Sequence, residues 1–348
     1  MIVDRDRVRV GSAPGGCAAA TYAPVVSVIL PCYNEQDHIA AALTSLLRQD
    51  VALPYEVVVV DSSTDRSAGV VRDGFPSVVL VRRNGRLSCG AARNLGLRYA
   101  RGSRILFTDA DVRVPPDWVR LLAQGLEEAD AVGGPIENGT PWSLTGTVNY
   151  YLEFCRLLPR RWRCTRRGWP FFAGANAGYR RDALNGVRFV SGLGEDVIVN
   201  HRLAAAGRTL RYSPVPVVRH VNKRGFRRVA RYQYQLGIGG WRWRRCSETG
   251  SRWVMRWPVL MIGAPVLMLG HLLWHELRNL SWIGFAKILI LSPVLVLFHS
   301  FWVAGFIAGE RALTQEHSSG RERSPQVLRA HGEAVAGGEE AVASPPLA

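Results

Sequence analysis

Short apolar runs alternate with segments of helical spacing along the first two thirds of the chain. The runs Val25–Leu30, Tyr55–Val60, Val78–Val81 and Ile105–Thr108 have the length and composition of buried strands, and Ser88–Tyr99 is one of the helical segments between them. Short, fully apolar strands that alternate with helices are typical of a mainly parallel sheet with helices on both faces. The pattern therefore predicts an α/β fold.

Polar residues follow three of these runs at the point where each strand ends. Pro31-Cys32-Tyr33-Asn34-Glu35 comes after the first strand, Asp61 after the second, and Asp109 with Asp111 after the fourth. In parallel sheets, ligands bind beyond the carboxyl ends of the strands. We therefore expect these residues to converge on one crevice.

Asp109 and Asp111 are the strongest chemical signal in the chain. Two carboxylates one residue apart, where a strand breaks into a turn, can bind Mg²⁺ or Mn²⁺, which commonly bridge substrate phosphates. Asp4 and Asp6 have the same spacing without a preceding strand, so the spacing alone is not specific. The alternative interpretation is a solvated turn.

The second half of the domain has a less regular pattern. Asp117–Glu128 predicts a helix, Ala131–Pro135 a strand and Arg211–His220 one or two strands. A further helix begins at Gly194-Glu195-Asp196, with a carboxylate near the positive end of its dipole. Aromatic residues and arginines alternate over 142–169, which fits either an amphipathic helix at a membrane interface or an ordinary packed helix.

The formal net charge of +16 comes almost wholly from arginine, since Lys223 and Lys287 are the only lysines. Such an excess indicates an anionic partner. The basic segment from Lys223 to Arg256 directly precedes an apolar region, which favours membrane lipid. We expect no nucleic-acid partner.

Beyond Trp257 the composition becomes apolar. Trp257–Trp274 and Trp282–Gly309 are each close to or above the ~20 residues needed to span hydrocarbon. They predict a transmembrane helical hairpin, although the first segment could instead lie in the interface. The preceding arginines place the main domain on the cytoplasmic side of a multi-pass cell-membrane protein. We therefore divide the chain into a disordered leader (1–23), an α/β domain (24–245), a basic juxtamembrane segment with two transmembrane helices (246–310) and a disordered tail (311–348).

Six short motifs follow one another between Val25 and about Arg245. They are Pro31-Cys32-Tyr33-Asn34-Glu35, Val59-Val60-Asp61 with Ser62-Ser63-Thr64-Asp65, Gly90-Ala91-Ala92-Arg93-Asn94-Leu95-Gly96, Thr108-Asp109-Ala110-Asp111, Gly174-Ala175-Asn176 and Gly194-Glu195-Asp196. In this order the motifs resemble family 2 glycosyltransferases. The resemblance implies the GT-A fold, with a mixed, mainly parallel sheet, and transfer of a sugar from a nucleotide-diphosphate donor.

The resemblance also implies a role for individual residues. Asp109 and Asp111 would bind a divalent metal, Mn²⁺ or Mg²⁺, with His220 as a third ligand. Asp196, with Glu195 as the other candidate, would be the general base of a single inverting displacement. The residues that would bind the nucleotide sugar are Pro31, Tyr33, Glu35, Asp61, Arg93, Asn94, Asp109 and Asn176. For each of these residues, the alternative is a structural role in a turn, a cap or the core.

One departure from the family pattern concerns processivity. Processive synthases of the family carry Gln-x-x-Arg-Trp after the base aspartate, and Tyr234–Trp243 does not match it. Transfer of a single sugar to a lipid-linked or glycan acceptor therefore fits better. Two alternatives are an inactive glycosyltransferase-like scaffold and a nucleotidyltransferase of sugar phosphates, although the latter needs a glycine-rich loop that Pro31–Glu35 does not provide.

Overall fold

The computed structural model describes residues 23–154, 157–158, 166–167, 172–246, 257–279 and 281–318. The chain divides into two compact units, Met1–Glu310 and Arg311–Ala348, and the fold described below belongs to the first. The strands are β1 Val26–Cys32, β2 Tyr55–Asp61, β3 Val79–Arg82, β4 Arg104–Phe107, β5 Val112–Arg113, β6 Ala131–Gly133, β7 Ile136–Asn138, β8 Arg166–Arg167, β9 Ala177–Arg180, β10 Leu210–Tyr212 and β11 Val218–His220. The helices are α1 Ile39–Leu47, α2 Ser67–Gly74, α3 Cys89–Tyr99, α4 Trp118–Glu128, α5 Leu144–Phe154, α6 Glu195–Ala205, α7 Phe226–Cys246, α8 Ala264–Arg278 and α9 Trp282–Ser318.

The larger sheet has the strand order β3-β2-β1-β4-β9-β6-β10-β8. Strands β3, β2, β1 and β4 are parallel neighbours, whereas β9 is antiparallel to both β4 and β6. Consecutive residues of β1 and β2 are buried, because helices cover both faces of the sheet. The predicted α/β fold with a mixed, mainly parallel sheet is confirmed.

A second, three-stranded sheet joins distant parts of the chain in the order β5-β11-β7. Strand β5 follows Asp111 directly, and it pairs antiparallel to β11 so that Val112 is opposite His220. The backbone N–H of Val221 also donates to the carbonyl of Asp111, at 2.9 Å. This small sheet therefore fixes the end of β11 beside the Asp109-Ala110-Asp111 turn.

The region 142–169 does not form one helix. Helix α5 ends at Phe154, and Arg166–Arg167 form β8, which pairs antiparallel to β10. The paired backbone at β8 prevents a continuous helix. The intervening residues 155–156 and 159–165, like 168–171, lie outside the described residues.

Two C-terminal segments are long and apolar enough to cross a membrane. They are Leu260–Arg278, with a mean hydropathy of 1.3, and Trp282–Gly309, with a mean hydropathy of 2.0. Many large apolar side chains on them are exposed, among them Val266, Leu267 and Ile290. The opposite faces pack on the rest of the unit: Phe298, for example, lies 4.9 Å from Phe226 of α7, ring centroid to ring centroid.

Several expected segments lie partly outside the described residues. The expected leader, except for its last residue, and residues 247–256 of the basic segment lie outside the described residues. Helix α9 continues to Ser318, past residue 311, where we expected a disordered tail to begin. The remainder of that expected tail is also outside the described residues.

Candidate active site

The register of the parallel strands brings the acidic residues to one edge of the sheet. Cys32 at the end of β1 is paired with Asp61 at the end of β2, and Ile29 is paired with Phe107 at the end of β4. Asp109 and Asp111 follow β4, so they lie on the other side of β1 from Asp61. The polar residues after β1 therefore lie between the two acidic groups, as the sequence predicted.

Asp61 forms the floor of one side of this crevice. Its side chain is fully buried, and Oδ2 accepts a hydrogen bond from Arg82 Nη1 at 2.7 Å and one from the Ser63 N–H at 3.3 Å. Its Oδ1 has no hydrogen-bond partner among the described residues. Asp61 thus offers a free, buried acceptor that a ligand N–H or O–H could satisfy.

Two arginines that the sequence analysis did not single out shape the same side. Arg82 bridges Asp61 Oδ2 and the backbone carbonyl of Ser63. The guanidinium carbon of Arg86 lies 4.7 Å from the ring centroid of Tyr33. In the sequence, the feature that pointed to Arg82 and Arg86 was their position at or after the end of β3. Together with the half-buried Pro31, these residues give this side a flat aromatic and cationic lining.

Glu35, Asp109 and Asp111 form a cluster of carboxylates on the other side. Burial and the neighbouring Asp111 raise the pKa of Glu35 to about 8, while Lys223 and Arg228 act in the opposite direction. Burial also raises the pKa of Asp109, with Arg93 opposing and Asp111 adding to the shift. The structure thus groups Glu35, one of the residues expected to bind the nucleotide sugar, with the two aspartates.

His220 is oriented toward this cluster by a polar network. Its Nε2 lies 3.5 Å from Asp111 Oδ1, and its Nδ1 lies 3.2 Å from Asn222 Oδ1. The Asn222 amide nitrogen donates to Asn138 and Thr140, so its oxygen is the acceptor and Nδ1 of His220 carries the proton. Nε2 is therefore the ring nitrogen that faces Asp111. Sequence analysis found His220 but missed the asparagines that hold it.

These donors suit a divalent metal only in part. Among the described residues, no three His, Cys, Asp or Glu side chains are arranged as a closed metal site. Asp109, Asp111 and His220 do supply two carboxylates and an imidazole of the kind that Mn²⁺ accepts. Metals that act on phosphates take few protein ligands and complete their coordination with substrate oxygens and water. The residues fit a metal of that open type.

Arg93 lies beneath the cluster rather than at its surface. The guanidinium is 2% exposed and donates to Asp109 Oδ1 at 3.0 Å and to Glu195 Oε1. A Cβ at Gly174 would lie only 2.3 Å from Arg93 Nη2, which explains why glycine stands there. Arg93 is one of the residues expected to bind the nucleotide sugar, and the structure encloses it as a link between Asp109 and helix α6.

Helix α6 begins with the two acidic residues proposed for catalysis. Glu195 is buried, and burial together with the neighbouring Asp196 raises its pKa to about 7, although Arg93 opposes this. Asp196 is half-buried; its Oδ2 accepts the Gly174 N–H at 2.9 Å and its Oδ1 accepts the Val197 N–H at 2.8 Å. Asp196 is therefore the accessible carboxylate of the pair, oriented by backbone donors.

Two asparagines that the resemblance assigned to the donor make structural hydrogen bonds within the fold. The Asn94 amide donates to the Phe189 carbonyl and accepts from the Phe189 N–H. Asn176 is fully buried, accepts from Trp118 Nε1 at 2.9 Å and donates to the carbonyls of Pro135 and Pro216. Each amide is used to join separate segments of the fold.

The mixed, mainly parallel sheet with this strand order is that of a GT-A-like fold. Mannosyltransferase PcManGT from Pyrobaculum calidifontis, solved in complex with GDP-Man and Mn²⁺, has a similar fold, with a TM-score of 0.51 and 21% identity. The similarity covers 87% of this chain and 82% of that one. At this identity it establishes the fold alone.

The sequence of residues 27–188 matches the model of glycosyl transferase family 2. This part of the chain, just under half of its length, therefore resembles family 2 glycosyltransferases in sequence, as its motifs indicated. Among curated relatives, undecaprenyl-phosphate 4-deoxy-4-formamido-L-arabinose transferase of Edwardsiella ictaluri is 33% identical over 122 residues, 32% of this chain and 36% of that protein. The uncharacterized glycosyltransferase YibD of Escherichia coli is 28% identical over 188 residues, 50% of this chain and 54% of its own. The chain thus spans about a third to about half of the length of these relatives.

Proposed function

We propose that this protein is a membrane-bound, metal-dependent glycosyltransferase that moves one sugar, with inversion, from a nucleotide-diphosphate donor to a membrane-proximal acceptor. The observation that carries the proposal is the arrangement at the sheet edge. At this edge lie Asp61, with a buried oxygen that has no hydrogen-bond partner among the described residues, the carboxylate cluster of Asp109 and Asp111, and the half-buried Asp196. These are the parts that donor binding, departure of the leaving group and proton removal require.

The donor base and ribose would occupy the side of Asp61. The unpaired Oδ1 of Asp61 can accept an N–H of a nucleobase such as uracil or guanine, or a ribose hydroxyl. Tyr33 and Pro31 offer flat surface, and Arg86 supplies positive charge toward the diphosphate. Specificity for the donor nucleotide would therefore depend on what can satisfy Asp61.

A divalent metal would be held by Asp109, Asp111 and His220. When bound, such a metal neutralises the charge that grows on the leaving nucleoside diphosphate as the glycosidic bond breaks. Arg93 keeps Asp109 oriented from below, and Asn222 keeps Nε2 of His220 directed at Asp111. Hydrogen bonds from neighbouring residues to the side chains that bind a metal fix the orientation and the basicity of those side chains.

Asp196 would remove the proton from the acceptor hydroxyl. Its carboxylate is oriented by the backbone N–H groups of Gly174 and Val197, which donate to its two oxygens. Attack by the acceptor from the side opposite the leaving group replaces one bond at the anomeric carbon with another and inverts its configuration. Glu195 is turned away from that position by Arg93.

The acceptor would reach the site from the side of the apolar hairpin. Phe226 at the start of α7 is 51% exposed and packs on Phe298 of α9, while Lys223 and Arg228 beside it act electrostatically on Glu35. A molecule with an anionic head and an apolar chain would find both partners there. The relative named as an undecaprenyl-phosphate transferase supports an acceptor or product of this kind. The arginines of α7 favour a cytoplasmic catalytic domain on a multi-pass protein.

The decisive experiment offers the detergent-solubilised full chain a panel of radiolabelled nucleotide sugars, with polyprenyl phosphate and glycan acceptors, in Mn²⁺, in Mg²⁺ or in EDTA. We expect one donor to be used, with product only when metal is present and with inverted configuration by NMR. Cleavage of donors without transfer to any acceptor, or turnover in EDTA, would contradict the proposal.

A further inference from the structure

Helix α7 lies between the loop that leads into the catalytic helix and the second apolar helix of the hairpin. On one side it contacts residues 191–194, which immediately precede Glu195 and Asp196. On the other side it crosses α9 near Trp302 and Gly305. One rigid element therefore touches both the hairpin and the segment that presents the proposed base.

The contact with the loop is made by Arg242 and Gly239. Arg242 is 9% exposed, and its Nη1 donates to the backbone carbonyl of Ser191 at 2.7 Å. Arg242 also fills the space beside Gly192, where an added Cβ would lie 1.5 Å from Nη1. Gly239 approaches Leu193 so closely that a Cβ on it would lie 2.7 Å from the Leu193 carbonyl oxygen. The loop thus rests on the backbone of α7.

The loop depends on outside support for its conformation. Gly192 and Gly194 both have positive φ, +90° and +83°. A glycine residue loses more backbone entropy on folding than any other residue type. The described contacts that hold Ser191 are the Arg242 bond and a 3.0 Å hydroxyl contact with Ser88. A shift of α7 would therefore be passed to the first turn of α6, where Asp196 lies.

The contact with the hairpin is equally close. A Cβ at Gly237 would lie 2.0 Å from the Trp302 carbonyl oxygen, and one at Gly305 would lie 1.9 Å from the Tyr234 carbonyl oxygen. Trp241 adds an edge contact with Phe306, with ring centroids 5.4 Å apart. The two helices therefore meet backbone to backbone, at a spacing that only glycine permits.

We propose that the apolar hairpin is part of the catalytic apparatus as well as an anchor: its crossing with α7 positions Asp196 through Arg242. This inference rests on the proposed function. Arg242, Gly237 and Gly305 are positioning residues, since none of them touches the reacting atoms. Asp61 lies outside this chain of contacts, whereas Asp109 is joined to α6 through Arg93 and Glu195, so the coupling acts more on turnover than on donor affinity.

The first test compares Arg242→Met with Arg242→Lys in the full-length protein. We expect Arg242→Met to lower kcat by about 10- to 100-fold, because small misplacement of a catalytic group has costs of this order. The donor KM should change by a much smaller factor than kcat, since Asp61 lies outside this chain of contacts. Arg242→Lys should recover part of kcat. Hydrogen exchange of the peptide covering residues 189–199 should rise in the Met variant, which is a readout independent of turnover.

The second test uses one substitution at two hairpin positions. Gly305→Ala adds a Cβ against α7, whereas Gly270→Ala adds it where no heavy atom lies within 4 Å. We expect a lower kcat and faster exchange at 189–199 for Gly305→Ala, and wild-type values for Gly270→Ala. Both variants should sediment with membranes and bind the nucleoside diphosphates UDP or GDP as wild type does, which verifies folding.

The outcomes separate this inference from the proposed function. If wild type shows no transfer with any donor, the proposed function fails, and exchange at 189–199 still reports the coupling. If wild type is active but Arg242→Met and Gly305→Ala keep both kcat and the exchange pattern, the coupling is overturned. A rise in donor KM with an unchanged kcat would also overturn it.

Discussion

Two parts of the proposed site are built in different ways. We call the part with Asp61, Asp109 and Asp111 the donor side, and the part with Asp196, Lys223 and Arg242 the acceptor side. Asp61 ends β2, and Asp109 and Asp111 follow β4; both strands pair with β1, so the sheet register places these residues at one edge. Asp196, Lys223 and Arg242 belong to α6, α7 and the loops around them, which reach the site through contacts between helices. The donor side is therefore fixed locally by the sheet, whereas the acceptor side depends on how distant segments pack.

This difference predicts that substitutions on the two sides change different kinetic constants. The largest effect should come from Asp196→Asn on the acceptor side. Loss of a general base typically costs about 10²- to 10⁴-fold in rate, so kcat should fall by that factor while the donor KM changes little. Steady-state kinetics with the preferred donor would measure both constants. Asp73→Asn, at an exposed position, is the matched control. A kcat within a few-fold of wild type would remove Asp196 from the role of base.

Metal removal should have the next largest effect on the rate of transfer. It should act at Asp109, Asp111 and His220, the proposed metal ligands. EDTA should abolish transfer, and added Mn²⁺ should restore it in wild type. In Asp111→Asn, Mn²⁺ should restore little, because the loss of charge stabilisation at the leaving group costs several kcal/mol, or about 10²-fold or more in rate. Activity measured across a Mn²⁺ titration would test this. Full restoration in Asp111→Asn would show that the carboxylate does not hold the metal.

A donor-side substitution should change affinity and spare turnover. In Asp61→Asn, the amide replaces one acceptor oxygen and removes the charge that faces Arg82. We expect the donor KM to rise by about tenfold, the value of one buried hydrogen bond, with kcat within about threefold. Isothermal titration with the free nucleoside diphosphate would give the same factor. An equal fall in kcat would mean that Asp61 acts beyond binding.

The smallest expected effect is a pH-dependent stability difference at Glu195. Its pKa rises from 4.5 to about 7 on folding, so the folded protein holds an extra proton between these values. Stability from this group is therefore present below pH 4.5 and is lost as the pH rises to about 7. Glu195→Gln lacks this titration, so its melting temperature relative to that of wild type should increase from pH 5 to pH 7.5. The corresponding relative gain in the free energy of unfolding is about 1–3 kcal/mol at most. A constant difference would contradict the raised pKa.

The sequence predicted the donor side better than the acceptor side, because strand ends are visible in local sequence and contacts between distant segments are not. The apolar runs identified β1, β2 and β4, and the strand ends identified Asp61, Asp109 and Asp111. Local pattern could not identify the partners of Arg93, because Asp109 and Glu195 come from separate segments and only the fold brings them together.

The asparagines show the same limit. Asn176 lies in a motif that suggested the donor, yet Trp118, Pro135 and Pro216 enclose it. Asn222, which orients His220, carried no pattern that would distinguish it from a loop residue. Side chains that join distant segments become visible only in the folded protein.

The buried Oδ1 of Asp61, which has no hydrogen-bond partner among the described residues, would couple the stability of the fold to binding of the proposed donor. A buried acceptor without a partner costs free energy in the folded state, and a ligand that supplies the missing donor removes that cost. Ligands that bind only the folded form raise its melting temperature in proportion to their affinity. Screening nucleosides by thermal shift, without any acceptor, would therefore rank bases by how well they satisfy one oxygen atom.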